Sequence, residues 1–406
     1  MKKKSIWIIN ETIGSKHHGM VFRPFFMARE FVKNGNDVTI FSGSYSHVYS
    51  KRPDVQGSNK IEIIDDVKYC WLKTPKYSKS QSLGRIINAF VFVFKLFLVK
   101  KDNFTKPDVV IVTSPTPFSI INGYFFKKRY KAKLIFEVRD IWPLTLIEIG
   151  QISKYHPFVL FMQCFENFSY RVSDKVVSVL PYAYMHMEKH GLKEDKFEYI
   201  PNGISLDKAD EIAEKIDNSV LSKIPEKKFI VMYTGKFGIS NALEELLAAA
   251  QNIKEDESVV FVLVGNGPEK SNLIRIAKEK DLNNIVFLDP VPKSYIPELL
   301  KRADVCYIGL HKKPIFEFGV SANKLFDYMY AGKPVIYAIE DKNSIVEKSD
   351  CGISIASQDP DEIVKTIKHL KNIEQKDRAE MGERGRQFVI TKHTYQKLAE
   401  KYEKLF

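Results

Sequence analysis

A lysine placed three residues before an aspartate, at the start of a helix, can hold a phosphate and a sugar hydroxyl at once. The stretch SANKLFDYMYAGKPVI, Ser321 to Ile336, has this form. Ser321 reads as the N-cap of a helix, with Asn323 and Lys324 in its first turn. A lysine there opposes the helix dipole. That cost disappears if an anion sits between the free N–H groups and the ammonium. Asp327 falls on a neighbouring part of the same face, where a carboxylate can accept hydrogen bonds from ribose hydroxyls. Gly332 and Pro334 then end the helix and open an apolar strand. An ordinary solvated helix start with an incidental lysine fits the same residues. Two glycine turns add weight to the phosphate reading. VLVGNGPE ends a strand with Gly265 and Gly267 and opens a helix, short of a complete GxGxxG. MYTGKFG puts Gly235 and Lys236 at another strand's carboxyl end.

The elements that must position these residues are legible as alternating β-branched runs and amphipathic helices. SIWIIN, DVTIFSG, DVVIVTS, LIFEV and KVVSVL read as strands of one winding, and PFFMAREFVKNG as its first helix, stopped by Gly35. After IPNGISLD the pattern restarts with FIVMYTG, VVFVLVG, NIVFLD, DVCYIGL and PVIYAI. This predicts an α/β protein of two Rossmann-like, doubly wound parallel-sheet domains facing across a cleft, with a boundary near Asn202–Lys208. The expected domains are 1–204 and 205–385, with 386–406 packing back on the first.

Composition sets outer limits. The 406 residues suit two or three domains, and 44% hydrophobic content is ordinary. Cys70, Cys164, Cys306 and Cys351 are widely spaced, which argues against a zinc knuckle or a disulfide scaffold and fits a reducing cytoplasm. The short apolar run of MKKKSIWIIN reads as a buried strand rather than a signal peptide. A net charge of +12 favours anionic partners, whether phosphate compounds, acidic membrane or nucleic acid. No nucleic-acid module is visible, so a nucleic-acid partner is not expected. The apolar segment Ile86–Val99 is too short to span a bilayer. It reads either as a buried helix or as a membrane-surface helix with Arg85, Lys100 and Lys101 snorkelling to headgroups. His17 and His18 precede Gly19 in a loop, where they could serve a site or simply be solvated. Asp359–Pro360–Asp361 reads as a helix cap, and no HExxH or similar metal spacing is found, so no metal site is expected.

These segments together resemble the GT-B glycosyltransferases of the retaining family 4, and within it the bacterial N-acetylfucosamine transferases of O-antigen and capsule synthesis. The resemblance is carried by SANKLFDYMYAGKPVI, by FEVRDIWP (Phe136 to Pro143), by Arg23 to His47, by IPNGISLD and by VGNGPEK. It implies a donor nucleotide sugar on the second domain and the acceptor on the first. Lys324 would contact the diphosphate, cradled by the backbone of Ser321 to Asn323. Asp327 would bind ribose, and the backbone near Val291 the base. Gly19, Gly235, Lys236 and Gly265 would line the approach to the diphosphate. Arg139, Asp140, Glu317 and His18 complete the expected reactive set. The family's first E-x7-E glutamate falls at Gly319, leaving Glu317 as its nearest substitute, and Asn241 stands where the family has a second phosphate lysine.

The implied reaction is transfer of a sugar, an N-acetylated amino sugar by this branch, from a UDP-sugar to an undecaprenyl-diphosphate-linked saccharide. Retention, no metal and no further cofactor are implied, with the protein peripheral on the inner face of the cell membrane. No catalytic base is identified; the leaving phosphate could take the acceptor's proton. The alternative is a UDP-sugar epimerase of the same fold, which would need no acceptor.

Overall fold

The hydrophobic runs become the central strands of two sheets, each in its own compact unit. The structure, a computed structural model, describes residues 3–19, 23–78, 82–207 and 218–406. One unit comprises Met1–Pro201 with Tyr395–Phe406, the other Asn202–Thr394. The division thus falls before 204, because Ile204 packs in the second unit's core and bridges to Thr394. Residues 386–394 also stay with the second unit, where Val389 is fully buried. Lys208, the far limit of the expected boundary, lies outside the described residues.

In the first unit, β1 (Ser5–Ile9), β2 (Asp37–Gly43), β3 (Asn59–Ile64), β4 (Val67–Leu72), β5 (Val109–Thr113), β6 (Lys133–Val138), β7 (Lys175–Ser178) and β8 (Phe197–Tyr199) form one sheet. Its order is β3-β4-β2-β1-β5-β6-β7-β8. SIWII and VVIVT are buried at every position, as central parallel strands covered on both faces must be. The sheet is not wholly parallel: β3 and β4 pair antiparallel at one edge. Their turn rests on Asp65 and Asp66, both left-handed, rather than on the Asn-Gly pair that usually announces a hairpin. The closing helix, Tyr395–Glu403, packs Tyr402 against Phe31 and Tyr395 against Phe26.

The second unit's sheet holds β9 (Phe229–Lys236), β10 (Val259–Asn266), β11 (Ile285–Leu288), β12 (Val305–Gly309), β13 (Val335–Ala338) and β14 (Gly352–Ile355). The order is β11-β10-β9-β12-β13-β14, all parallel. Side chains of β9 alternate between two cores, Ile230 and Met232 in one and Val231 and Tyr233 in the other. The chain leaves β9 toward β10 and returns to its other side as β12. The carboxyl end of β9 is therefore a switch point, where open α/β sheets bind ligands.

The Gly84–Lys101 segment forms a helix, Leu83–Leu98. One side of it is buried and the other is exposed. Ala89, Phe92, Val93 and Leu96 are buried, while Leu83, Ile87, Phe94 and Leu98 are well exposed. The expected snorkelling set is corrected. Arg85 lies over the Trp142 ring at 5.8 Å. Lys101 donates to the carbonyls of Leu96 and Val99, both at 2.6 Å, capping the helix end. Desolvation pulls its pKa down to about 8. Of the three, Lys100 is the exposed one. Among the described residues no helix is long and apolar enough to cross a membrane.

A buried ion pair ties the first helix to the sheet. Arg23 and Glu137 are each about 4% exposed at the side chain, with Nη2 to Oε2 at 3.2 Å. Arg23 Nη2 also donates to the Ile200 carbonyl at 2.9 Å, and Nη1 to that of Pro201. Replacing Arg23 with leucine strands the Glu137 carboxylate. The expected loss is about 3–5 kcal/mol in urea unfolding; a loss under about 1 kcal/mol would show that the pair does not hold the helix.

Candidate functional site

The lysine singled out by sequence belongs to the helix Asn323–Tyr330, which buries Leu325, Phe326, Tyr328 and Met329. Tyr328 fixes the helix to the end of β9. Its oxygen accepts from the Thr234 N–H at 2.7 Å and donates to the Thr234 carbonyl at 3.2 Å. Ser321 is not the N-cap. Ala322 takes that place and offers no side-chain hydrogen bond. Ser321 is engaged by Asn202 instead: its hydroxyl accepts the Asn202 N–H at 3.0 Å and its carbonyl the Asn202 Nδ2 at 2.7 Å. The helix start therefore presents its first N–H groups without a side-chain cap, in keeping with an anion site.

Lys324 points from this start to the end of β9. Its Nζ donates to Tyr233 Oη at 2.6 Å and to Asn241 Oδ1 at 3.3 Å, and lies 4.0 Å from the Tyr233 ring centroid. The Tyr233 hydroxyl in turn donates a hydrogen bond to the Lys236 carbonyl at 2.7 Å, which also accepts one from Asn241 Nδ2 at 3.1 Å. Every one of these partners is neutral. Part of the side chain is accessible, but the ammonium end is crowded, and desolvation pulls its pKa down to about 7. Asn241 thus helps to orient Lys324. The Lys236 side chain itself is exposed.

The glycines make this geometry possible. At Gly235, with φ +144°, a Cβ would lie 3.0 Å from Lys324 Nζ. At Gly265, with φ +149°, it would lie 1.8 Å from the Gly235 carbonyl oxygen. Neither position has room for a side chain, so the ends of β9 and β10 come together under Lys324.

The other expected residues of this unit are less uniformly placed. Asn323 is exposed, and Asp327 forms an ion pair with Lys293, a partner that sequence did not suggest. Val291 packs at the edge of the core that includes Leu325. Glu317 is exposed in the turn Pro314–Phe318, just before Gly319 with φ +99°. His311, outside the expected set, pairs with Glu244 at 2.9 Å. Asp359 does cap a helix, accepting the Glu362 N–H at 3.0 Å.

In the first unit, Arg139 and Asp140 follow β6. The Arg139 backbone N–H donates to Ser114 Oγ at 2.8 Å, and its guanidinium Nε to the Ser114 carbonyl at 3.2 Å. Asp140 borders a recess with Ser114 and Trp142. Desolvation raises its pKa, against the pull of Arg139 and Arg85. Gly19, with φ +82°, faces Ser50, whose Oγ would lie 2.5 Å from a Cβ there. His18 is not an open loop histidine. It is 6% exposed, its Nδ1 is 2.8 Å from Ser15 Oγ, and its ring lies 4.7 Å from Trp71. Desolvation lowers its pKa, and the ring is packed rather than open to solvent. His17 beside it is exposed.

Two groups escaped the sequence reading. Glu11 is 2% exposed at the end of β1, accepts a hydrogen bond from Thr116, and has its other carboxylate oxygen unpartnered among the described residues. Burial raises its pKa, while Arg85 and Arg139 lower it. The only signal was an acidic residue directly after SIWIIN. The second group is Glu166, His186 and His190, whose ligand atoms all lie within 4.8 Å of one another. Its signal was the i, i+4 spacing of His186 and His190, which corrects the statement that no metal-type spacing is present.

Known proteins resemble the chain in sequence and in fold. Residues 19–208 match the family model "Glycosyltransferase Family 4" and residues 214–388 match "Glycosyl transferases group 1". The "Putative colanic acid biosynthesis glycosyl transferase WcaI" of Escherichia coli (strain K12) is 23% identical over 276 residues, 67% of each chain. The sucrose-phosphate synthase of Thermosynechococcus elongatus superposes with a TM-score of 0.74 at 16% identity, covering 99% of this chain and 98% of that one. Anabaena Alr3699/HepE, in complex with UDP and glucose, gives 0.65 at 13% identity over 99% and 98%. These structures share the GT-B fold. The family models describe transferases, which leaves the epimerase alternative unsupported.

The Tyr328 hydroxyl should matter as the clamp of the Lys324 helix. Tyr328→Phe leaves the Thr234 N–H buried without its partner, and about 1–3 kcal/mol of stability should be lost in chemical denaturation. An unchanged midpoint would mean that packing alone holds the helix.

Proposed function

We propose that this chain, a GT-B glycosyltransferase of the group 1 and family 4 type, transfers a sugar from a UDP-sugar to a lipid-linked saccharide. The second unit binds the donor and the first the acceptor. The observation that carries the donor half is Lys324: a desolvated ammonium with only neutral partners, at the uncapped start of a helix. A diphosphate placed there restores the charge balance. As the glycosidic bond breaks, negative charge grows on the leaving diphosphate. The Lys324 ammonium and the N–H groups near Asn323 stabilise it without reorganisation. Asp327 takes the ribose hydroxyls, exchanging Lys293 for them, and the backbone near Val291 meets the base. Gly235 and Gly265 allow the close approach. The complex of HepE with UDP and glucose supports the choice of nucleotide.

The finer reading follows the family resemblance. The sugar is an N-acetylated amino sugar of the N-acetylfucosamine branch, the configuration is retained, and the donor step needs no metal. Arg139 and Asp140, with Glu317, are the residues assigned to acceptor and sugar; His18, buried against Trp71, is assigned to packing. The acceptor is an undecaprenyl-diphosphate-linked saccharide of a surface polysaccharide. The WcaI relative is named for colanic acid, a product of that kind.

A lipid acceptor requires the enzyme to sit at the cytoplasmic membrane surface. Leu83, Ile87, Phe94 and Leu98 are 77%, 56%, 63% and 66% exposed and recur on one side of their helix. Phe125 and Phe161 on neighbouring helices extend this apolar patch. Such a patch on a chain of charge +12 suits an acidic bilayer. Replacing Phe94 and Leu98 with serine should weaken sedimentation with vesicles containing acidic phospholipid; unaltered binding would place the contact elsewhere.

Lys324→Met should lower transfer by on the order of 10²–10³ and weaken UDP binding. Wild-type UDP binding should survive chelator; its loss would end the metal-free reading, and an unchanged mutant would end the site assignment. The pH dependence has a definite sign. Free Lys324 is largely neutral above pH 7, whereas the bound diphosphate favours its charged form. Binding above pH 7 should therefore take up a proton, and UDP affinity should fall as pH rises from 7 to 9. Calorimetry in buffers of differing ionisation enthalpy measures this; no proton uptake at pH 8 contradicts it.

A further inference from the structure

We propose that Glu166, His186 and His190 form a binding site for a divalent transition-metal ion of the zinc class, built within the first unit. This inference does not rest on the transferase reading. Glu166 lies on the helix Pro157–Val172. His186 and His190 lie on consecutive turns, Tyr184–Met187 and Glu188–His190, ended by Gly191 with φ +92°. Two imidazoles four residues apart on one helical face, opposite a carboxylate, are a donor set of two nitrogens and one oxygen. That set, leaving one position open, suits zinc, cobalt or nickel rather than magnesium or calcium.

The geometry is close to what an ion needs. His186 Nε2 and Glu166 Oε1 are already 3.1 Å apart. Ligands held tetrahedrally at about 2.0–2.1 Å from zinc lie roughly 3.3 Å from one another. The widest separation in the cluster is at most 4.8 Å, so a ring movement of about 1.5 Å closes the set. The histidine rings are 4.4 Å apart, and His190 is only partly buried, which leaves it room to turn.

Outer contacts are in place. Tyr170 Oη donates to Glu166 Oε1 at 2.7 Å and so orients the carboxylate. Gln163 lies beside both sides of the cluster: its Nε2 donates to Glu166 Oε2 and to Asn167 Oδ1, the latter at 2.8 Å, and is 2.9 Å from His190 Nδ1. Glu166 and Tyr170 also border the recess that holds Asp140 and Trp142. The ion would therefore stiffen the wall behind the FEVRDIWP motif.

The test is titration of the full chain, freed of metal by chelator and returned to chelator-free buffer, with Co²⁺. The expected result is uptake of roughly one equivalent with the intense visible bands of a tetrahedral site, abolished by adding Zn²⁺. Thermal unfolding should shift upward with Zn²⁺. His190→Ala and Glu166→Gln should each weaken Co²⁺ binding tenfold or more while circular dichroism is unchanged. If His190→Ala does not fold, His190→Gln replaces it, with the same expected loss. Absence of the visible bands, or equal uptake by the wild type and the folded variants, overturns the proposal.

Discussion

The structure turns on a cation kept from water without an anion to balance it. Lys324 is held by a phenol, an amide and an aromatic ring, and desolvation brings its pKa down to about 7. Isolated, that arrangement is unfavourable. It persists because the surroundings over-determine it. Tyr328 locks the helix to Thr234, Asn202 holds Ser321, and the bare Cα of Gly235 leaves room for the ammonium. The parallel sheet, with its switch point at β9, is what brings these segments to one place.

The two units contribute different chemistry. The second concentrates uncapped backbone N–H groups and a lysine, suited to a diphosphate. The first places a buried carboxyl, Glu11, and an exposed one, Asp140, beside Arg139 and Arg85, with desolvation raising both and the guanidinium groups opposing it. Groups so tuned by burial and neighbouring charge are common where protons or hydroxyls are handled.

Much of the fold was legible because the strongest signals are local. SIWII, VVIVT and FIVMYTG are too apolar to be anything but covered strands, and Gly35 marks a helix end by its left-handed backbone. The edge hairpin was not legible, since Ile61 and Ile63 are exposed and the turn is carried by two aspartates. The place of Lys324 in a helix's first turn was legible. The Ser321 cap was misplaced by one residue, because Asn202, 119 positions away, decides where that hydroxyl points. The Asp327–Lys293 pair, the burial of His18 against Trp71 and the meeting of Glu166 with His186 are likewise set by contacts that no local pattern encodes. Arg85 shows the same limit: it reads as a membrane anchor in sequence and lies over Trp142 in the fold.

The most direct test of the central claim is a crystal structure of the chain with UDP bound. The account predicts diphosphate oxygens within about 3 Å of Lys324 Nζ and of a backbone N–H at the start of the Asn323–Tyr330 helix. A diphosphate bound elsewhere, with Lys324 still resting on Tyr233, would contradict it.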